Sequence, residues 1–400
     1  MPALQVPAEA PARRVSDMPG TRRHRIRNRI AAAVSAALVA VALGSCTPEP
    51  LPPDRHEDIY AALEAFSRSM IDDGAPAVLI EVKGGGKTWT HAAGVRDLDT
   101  REPATVSDPF RVGSITKSMV AVSVMKLVEE GKIGLDEQVS KYLPEFGTVL
   151  HPPGPVTVRQ LLIHETGLPD FGIPLLASGP LPEVMNRPLS LEQQLALAAT
   201  APWERRLAQG FEYSNSNYAA LGLIVQRFRG KSINAVLKED VADPLGLAST
   251  GLPLPGAAPA TMVHGYITVN GQRLDVTQPA WLSEFAAGGA VSTVSELNTF
   301  YAALFQGKLL RDESRTSMLR RDSDYYGFGL MKWNDTCSNR LYHGHTGDID
   351  GYGSVSMTSE DGLRQFTIAV AYPPEPPTLN VNPLVLDLAN LAEQTLNALC

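Results

Sequence analysis

Phe110-Arg111-Val112-Gly113-Ser114-Ile115-Thr116-Lys117 is the stretch on which the reading of this chain turns. A helical pattern runs on from it through Met119, Val120, Val124 and Leu127. Gly113 allows a tight backbone entry into that helix. A Ser at a helix start sits where backbone N–H groups point outward and the dipole favours negative charge. Lys117, one turn on, brings its ammonium beside the Ser114 hydroxyl. A free Ser is a poor nucleophile until a neighbour takes its proton. Alone, Ser-x-x-Lys recurs by chance in long chains, and it reads equally well as a helix N-cap beside a solvated Lys.

Two further motifs give the first one a context. Tyr213-Ser214-Asn215 lies in a loop before a helix expected to start near Tyr218. Tyr213 could act as a base only if cations lowered its pKa from about 10, and Lys117 could supply that charge. The competing reading is an N-cap sequence. His345-Thr346-Gly347 lies within Tyr342-His343-Gly344-His345-Thr346-Gly347-Asp348. Glycines flanking His345 on a strand would let a ligand backbone approach closely. His343, His345, Asp348 and Asp350 are also possible metal-ligand types, but the chain has no H-E-x-x-H. The reading therefore calls for no metal and no other cofactor.

Taken in order, Ser-x-x-Lys, then Tyr-Ser-Asn about 100 residues on, then His-Thr-Gly about 130 beyond that, resembles the penicillin-recognising serine hydrolases. That group includes D-alanyl-D-alanine carboxypeptidases, class C β-lactamases and related esterases. Tyr at the middle motif and His at the third are most similar to its carboxypeptidase branch. The similarity extends to Thr157–Leu168, Gly288–Phe300 and Tyr326–Leu330. It implies that Ser114 attacks a carbonyl, that Tyr213, held as a partial phenolate by Lys117, takes the proton, and that the Ser114 and Asp348 N–H groups form the oxyanion hole. It implies substrate-binding roles for Asn215, His345, Thr346, Gly347, Asp348 and Trp281. His164 falls within the similarity and reads as a packing or turn residue. The resemblance also implies a disulfide between Cys337 and Cys400; two free thiols are the other reading.

One departure bears on the substrate. Carboxypeptidases of that branch hold a substrate carboxylate with hydroxyls after the third motif and with an Arg on the strand leading to the first paired Cys. Here the matching position is Met331, Lys332 should point to the other strand face, and Asp348 and Asp350 follow Gly347. An acid about 5 Å from a substrate carboxylate would cost about 3 kcal/mol at an effective dielectric of about 20. The expectation is a carboxypeptidase-like enzyme that handles an ester, or an amide with a neutral or positive end, better than a free D-Ala terminus. A lipid-anchored penicillin-binding or sensing protein without turnover is the reading from another class.

The rest of the chain sets the compartment and the architecture. Its 400 residues are 44% hydrophobic and 20% charged, the make-up of a globular protein. A net charge of −8 argues against a nucleic-acid partner. Residues 1–45 instead carry seven Arg and two acids. The apolar run Ile30–Leu43 is 14 residues, about 21 Å as a helix and short of a ~30 Å hydrocarbon core. Basic block and short apolar run make a secretory leader, and Leu43-Gly44-Ser45-Cys46 resembles a lipobox whose Cys46 becomes lipidated. The expected layout is leader 1–45, Pro-rich tether 46–56 and hydrolase domain 57–400, exported and membrane-anchored through Cys46. Its partner is a small-molecule or peptide substrate: a peptidoglycan stem peptide or an ester. Apolar residues Ile59, Leu63, Phe66 and Met70 predict an opening helix, and 383–399 a closing one. Strand patterns at Ala77–Val82, around Trp89 and His91, at Gly265–Val269 and over Leu341–Val370 flank a mainly helical stretch. The fold class is α/β of the α+β type: an antiparallel sheet from both chain ends (57–150 and 256–400), flanked by helices, with an inserted helical lobe (151–255).

Overall fold

Strand β1 (Ala77–Gly84) shows why the domain has three layers. Its alternate residues Val78, Ile80 and Val82 bury into one apolar cluster, and Leu79 into another. Both sheet faces therefore need cover, and each fully buried apolar side chain contributes about 1.5–3 kcal/mol. The computed structural model describes residues 53–203, 210–320, 326–378 and 380–400, so the leader, Cys46 and the tether through Pro52 lie outside the described residues.

Helix α1 (Pro53–Asp72) leads into β1 and β2 (Lys87–Gly94). Near the other end come β7 (Met331–Asp335), β8 (Arg340–Ile349), β9 (Tyr352–Ser359), β10 (Gln365–Ala371) and α5 (Pro383–Ala398). These strands form an antiparallel sheet ordered β2-β1-β10-β9-β8-β7, joining the two ends of the chain at β1 and β10. The sequence expectation of a sheet built from both ends holds. Helices α1 and α5 cover one face through Leu63, Phe66, Met70, Leu388, Leu391 and Leu396.

The other face carries α2 (Thr116–Glu129), α3 (Asn215–Arg229), α4 (Val294–Phe305) and the short helices between α2 and α3. Several of these begin at sequence-encoded caps. Thr157 accepts from the Gln160 N–H while Gln160 returns a bond to the Thr157 N–H, and Ser190 with Gln193 repeats the pattern. Two short pairs stand apart from the main sheet: β3 (Phe110–Arg111) with β6 (Val291–Ser292), and β4 (Tyr266–Val269) with β5 (Gln272–Asp275). The strand expected at Gly265–Val269 is thus half of a separate hairpin.

Cys337 and Cys400 lie with Cα atoms 5.6 Å apart, the span of a disulfide. A bond there ties α5, whose other end touches β8 as described below, to the turn after β7. Replacing both Cys by Ser should lower stability by at most about 4 kcal/mol on the loop-entropy model. Urea unfolding checks this: reductant should destabilise the unaltered domain by a similar amount and leave the double variant unchanged.

Candidate active site

Ser114 lies in a 3-10 turn, Gly113–Ile115, that runs directly into α2. Gly113 has φ +53°, and a Cβ on it would come within 2.8 Å of the Asp348 backbone nitrogen. Only glycine meets both demands, so the turn presses against β8 at Asp348. Gly347 is equally constrained: a Cβ there would lie 2.0 Å from the Val112 carbonyl oxygen. The glycines beside His345 are expected from the sequence to leave room for a ligand. At Gly347 the space is filled by the protein's own backbone, and at Gly344 a Cβ would meet the Ser356 carbonyl at 1.9 Å.

Lys117 is fully buried, and its ammonium position is set by three acceptors. Nζ donates to Ser114 Oγ at 3.0 Å, to Asn215 Oδ1 at 2.9 Å and to the Ala287 carbonyl at 2.7 Å. Burial pulls its pKa down to about 7, with Asp170 partly opposing. The Tyr213 ring centroid lies 4.7 Å from Nζ. The first two motifs, about 100 residues apart in sequence, therefore meet around one amine. At pH 7 a large share of Lys117 is neutral and can accept a proton from the hydroxyl it touches.

The Tyr-Ser-Asn loop is held from below. Helix α3 starts at Asn215, three residues before the expected Tyr218, with Ser214 as its N-cap accepting from the Ser216 N–H. So the N-cap reading is also true, of Ser214, and it leaves Asn215 free to face Lys117. Asp170, which sequence reasoning missed, fixes Asn215 twice: Oδ2 accepts from its backbone N–H at 2.7 Å and from Nδ2 at 3.0 Å. The other oxygen, Oδ1, accepts from the Gly172 N–H at 2.7 Å. The Pro169-Asp170 pair reads locally as a turn, and its partner is 45 residues away. His164, at φ +58°, is the turn residue expected, and its ring stacks on Tyr213 with centroids 4.3 Å apart. Its Nδ1 accepts from the Ser214 N–H and from Asn217 Nδ2, while burial, then Lys117, hold its pKa well below the usual range.

His345 is buried and neutral. Nδ1–H donates to the Thr346 carbonyl at 2.6 Å, so Nε2 accepts from the Tyr326 hydroxyl at 2.9 Å. Burial, reinforced by Lys117, lowers its pKa to about 3. It offers no positive charge to a substrate. The Thr346 carbonyl, an acceptor only, fixes this tautomer, and the Tyr326 hydroxyl donates to the remaining nitrogen. His343 is engaged elsewhere, with Nε2 3.4 Å from Glu360 and its ring edge-on to Phe305.

The substrate-facing candidates divide. Thr346 Oγ1 lies 3.4 Å from the Met331 sulfur. Lys332 Nζ donates to the Arg320 carbonyl at 2.8 Å, so it does point away as expected. The Asp348 carboxylate is engaged within the protein: its oxygens accept from Tyr372 and from the Asn382 N–H, on the side of the sheet covered by α5. Strand alternation places Asp348 on the face opposite Gly347 and shared with Thr346, and two donors there hold its carboxylate. Asp350 has its pKa raised to about 6 by burial and by Asp348. Trp281 packs on Phe285 with centroids 4.9 Å apart, at the start of the segment that ends in Ala287. Buried Arg111 clamps that segment, donating to the Thr277 carbonyl at 2.9 Å and to the Gly289 carbonyl at 2.8 Å.

Two outcomes follow from the Lys117 site. Acylation by an activated ester should rise with pH through a midpoint near 7, as Lys117 loses its proton. The same shift makes folding less favourable as pH falls from about 10.5 towards 7, because the unfolded chain binds a proton that the folded site refuses. Asp170→Asn should move the kinetic midpoint to lower pH, since Asp170 supports the charged form. It should also cut kcat/KM by about 10–100-fold through a loosened Asn215. Stopped-flow pH profiles of the two proteins check both.

Comparison with known proteins agrees with this fold. A D-stereospecific amidohydrolase from Streptomyces sp. superposes with TM-score 0.69 at 28% identity, over 78% of this chain and 94% of that one. D-amino acid amidase from Ochrobactrum anthropi SV3 gives TM-score 0.71 at 24% identity, over 85% and 98%, a likeness of fold alone. In sequence the chain is 23% identical over 297 residues to Penicillin-binding protein 4* of Bacillus subtilis (strain 168). It is 31% identical over 182 residues to Esterase EstB of Burkholderia gladioli. These matches cover 64% and 46% of those two proteins, less than two thirds of either. The Beta-lactamase family model matches residues 62–383, which takes in all three motifs, and the chain belongs to the beta-lactamase family of serine hydrolases.

Proposed function

We propose that this protein hydrolyses esters or amides through an acyl-enzyme on Ser114, and that the group its site holds at the Thr346–Met331 end is uncharged. The observation carrying this reading is the Lys117 amine, buried, half-neutral at pH 7 and 3.0 Å from the Ser114 hydroxyl. Lys117 takes the Ser114 proton as Oγ adds to the carbonyl. The expected base role of Tyr213 becomes a shared one: Lys117 and Tyr213 are coupled, and the pair returns the proton to the leaving group. The N–H groups of Ser114 and of Asp348, the latter lying against the Gly113 turn, stabilise the tetrahedral oxyanion. Water then releases the acyl group.

Substrate class follows from what the third motif lacks. Met331 stands where the resemblance places an Arg, Lys332 is turned away, and His345 is neutral. The expected repulsion by Asp348 is weakened, because Tyr372 and the Asn382 N–H hold that carboxylate; the missing cation is enough. The Esterase EstB and D-stereospecific amidohydrolase similarities support the same reading. A D-alanyl-D-alanine carboxypeptidase is the second reading, favoured by the likeness to Penicillin-binding protein 4*. Export and anchoring through Cys46 complete the proposal and rest on the leader sequence.

A fluorophosphonate and a fluorescent penicillin, followed by mass spectrometry, should modify Ser114, with no labelling in Ser114→Ala. Stable penicillin labelling without ester turnover would instead identify a binding or sensing protein. Met331→Arg should raise D-Ala release from a D-Ala-D-Ala peptide by about 10-fold or more, while p-nitrophenyl ester turnover changes little. Release of D-Ala by the unaltered enzyme faster than its turnover of p-nitrophenyl esters would favour the second reading.

A further inference from the structure

The geometry points to the Asp348 side chain as a positioning group for the oxyanion hole, acting through its own backbone from the opposite face of the sheet. This rests on the proposed role of the Asp348 N–H. That nitrogen lies against the Gly113 turn, so the strand there has no slack towards Ser114. On the far side both carboxylate oxygens are held by single, directional donors. Oδ1 accepts from the Tyr372 hydroxyl at 3.0 Å, and Oδ2 from the Asn382 N–H at 2.7 Å. Asn382 is the N-cap of α5, so the anion also meets the positive end of that helix. Tyr372 is itself fixed, its N–H donating to the Gly351 carbonyl at 2.9 Å across the hairpin that follows Asp348.

A carboxylate pinned at both oxygens fixes its side-chain torsions and thereby the orientation of the peptide plane that carries the donor. An oxyanion-hole donor works only if it is aimed before the charge develops, and losing one costs about 100–1,000-fold in rate. Releasing its anchor should cost less, because the donor remains and is only less well aimed. Terminal helix α5 thereby touches the active site through one side chain. Burial raises the Asp348 pKa, and the two donors oppose that rise.

The test uses the purified domain, with p-nitrophenyl ester acylation, affinity for an aryl boronic acid and thermal unfolding read on each variant. A boronic acid bonded to Ser114 Oγ mimics the tetrahedral state and so reads the hole directly. Asp348→Ala should slow acylation by about 10–100-fold with KM within about threefold, and weaken the boronate by a matching factor. Asp348→Asn keeps an acceptor for the Asn382 N–H and an amide that can donate to the Tyr372 oxygen, so it should stay within about threefold of the unaltered rate. Tyr372→Phe removes one donor and should fall between the two. A purely structural role would lower the melting temperature without separating boronate affinity from KM. Unaltered acylation and boronate affinity in a folded Asp348→Ala protein overturns the inference. If that variant does not fold, an unaltered rate and boronate affinity in Tyr372→Phe overturns it instead. Failure of the catalytic reading shows differently, as an unaltered protein that fluorophosphonate leaves unmodified at Ser114, and it overturns both.

Discussion

A single buried amine organises this molecule. Removing the Lys117 ammonium from water is costly, and the site returns only part of that cost through three acceptors and a distant carboxylate. The deficit appears as a pKa near 7 instead of 10.5, which suits proton transfer at neutral pH. Each acceptor comes from a different part of the chain: Ser114 from the turn before α2, Asn215 from the start of α3, and Ala287 from the segment that Arg111 clamps. The amine is therefore both the candidate proton acceptor and the point where three pieces of fold must agree.

Around it the surroundings are built to add no further charge. His164 and His345 are buried on either motif and kept neutral, each with Nδ1 committed, one as acceptor and one as donor. The tyrosines Tyr218 and Tyr326 have burial pushing their pKa values well above the ordinary one, so they stay as neutral hydroxyls. A second protonated group near Lys117 would lower its pKa further, and an anion closer than Asp170 would keep it charged. The arrangement leaves the amine with the Tyr213 ring 4.7 Å away as its aromatic neighbour.

The sheet separates two functions that the sequence mixes on one strand. Along β8, His345 meets Tyr326 on the Ser114 side of the sheet, and Thr346, one residue on, meets Met331 on the other. Asp348, two residues on, turns its carboxylate to the α5 layer while its backbone stays at Ser114. The terminal helices thus do more than cover an apolar face: the N-cap of α5 reaches the strand that borders the site.

Much of this was legible beforehand because it is local. Helix spacing in α1 and α5, the Thr157 capping box, and the order of Ser114, Lys117, Tyr213, Asn215 and His345 all depend on residues close in sequence or on recurrence of a known pattern. Covalent neighbours and short periods dictate such features. Other features depended on contacts between distant segments: Asp170 under Asn215, Arg111 gripping both ends of a segment more than 160 residues away, and Tyr326 donating to His345. So did the direction of Asp348, whose acidity was plain but whose facing was decided by Tyr372 and Asn382. Residue types name the chemistry available. Which face a side chain takes, and what charge it keeps there, is set by burial and by partners that only the folded chain brings within hydrogen-bond reach.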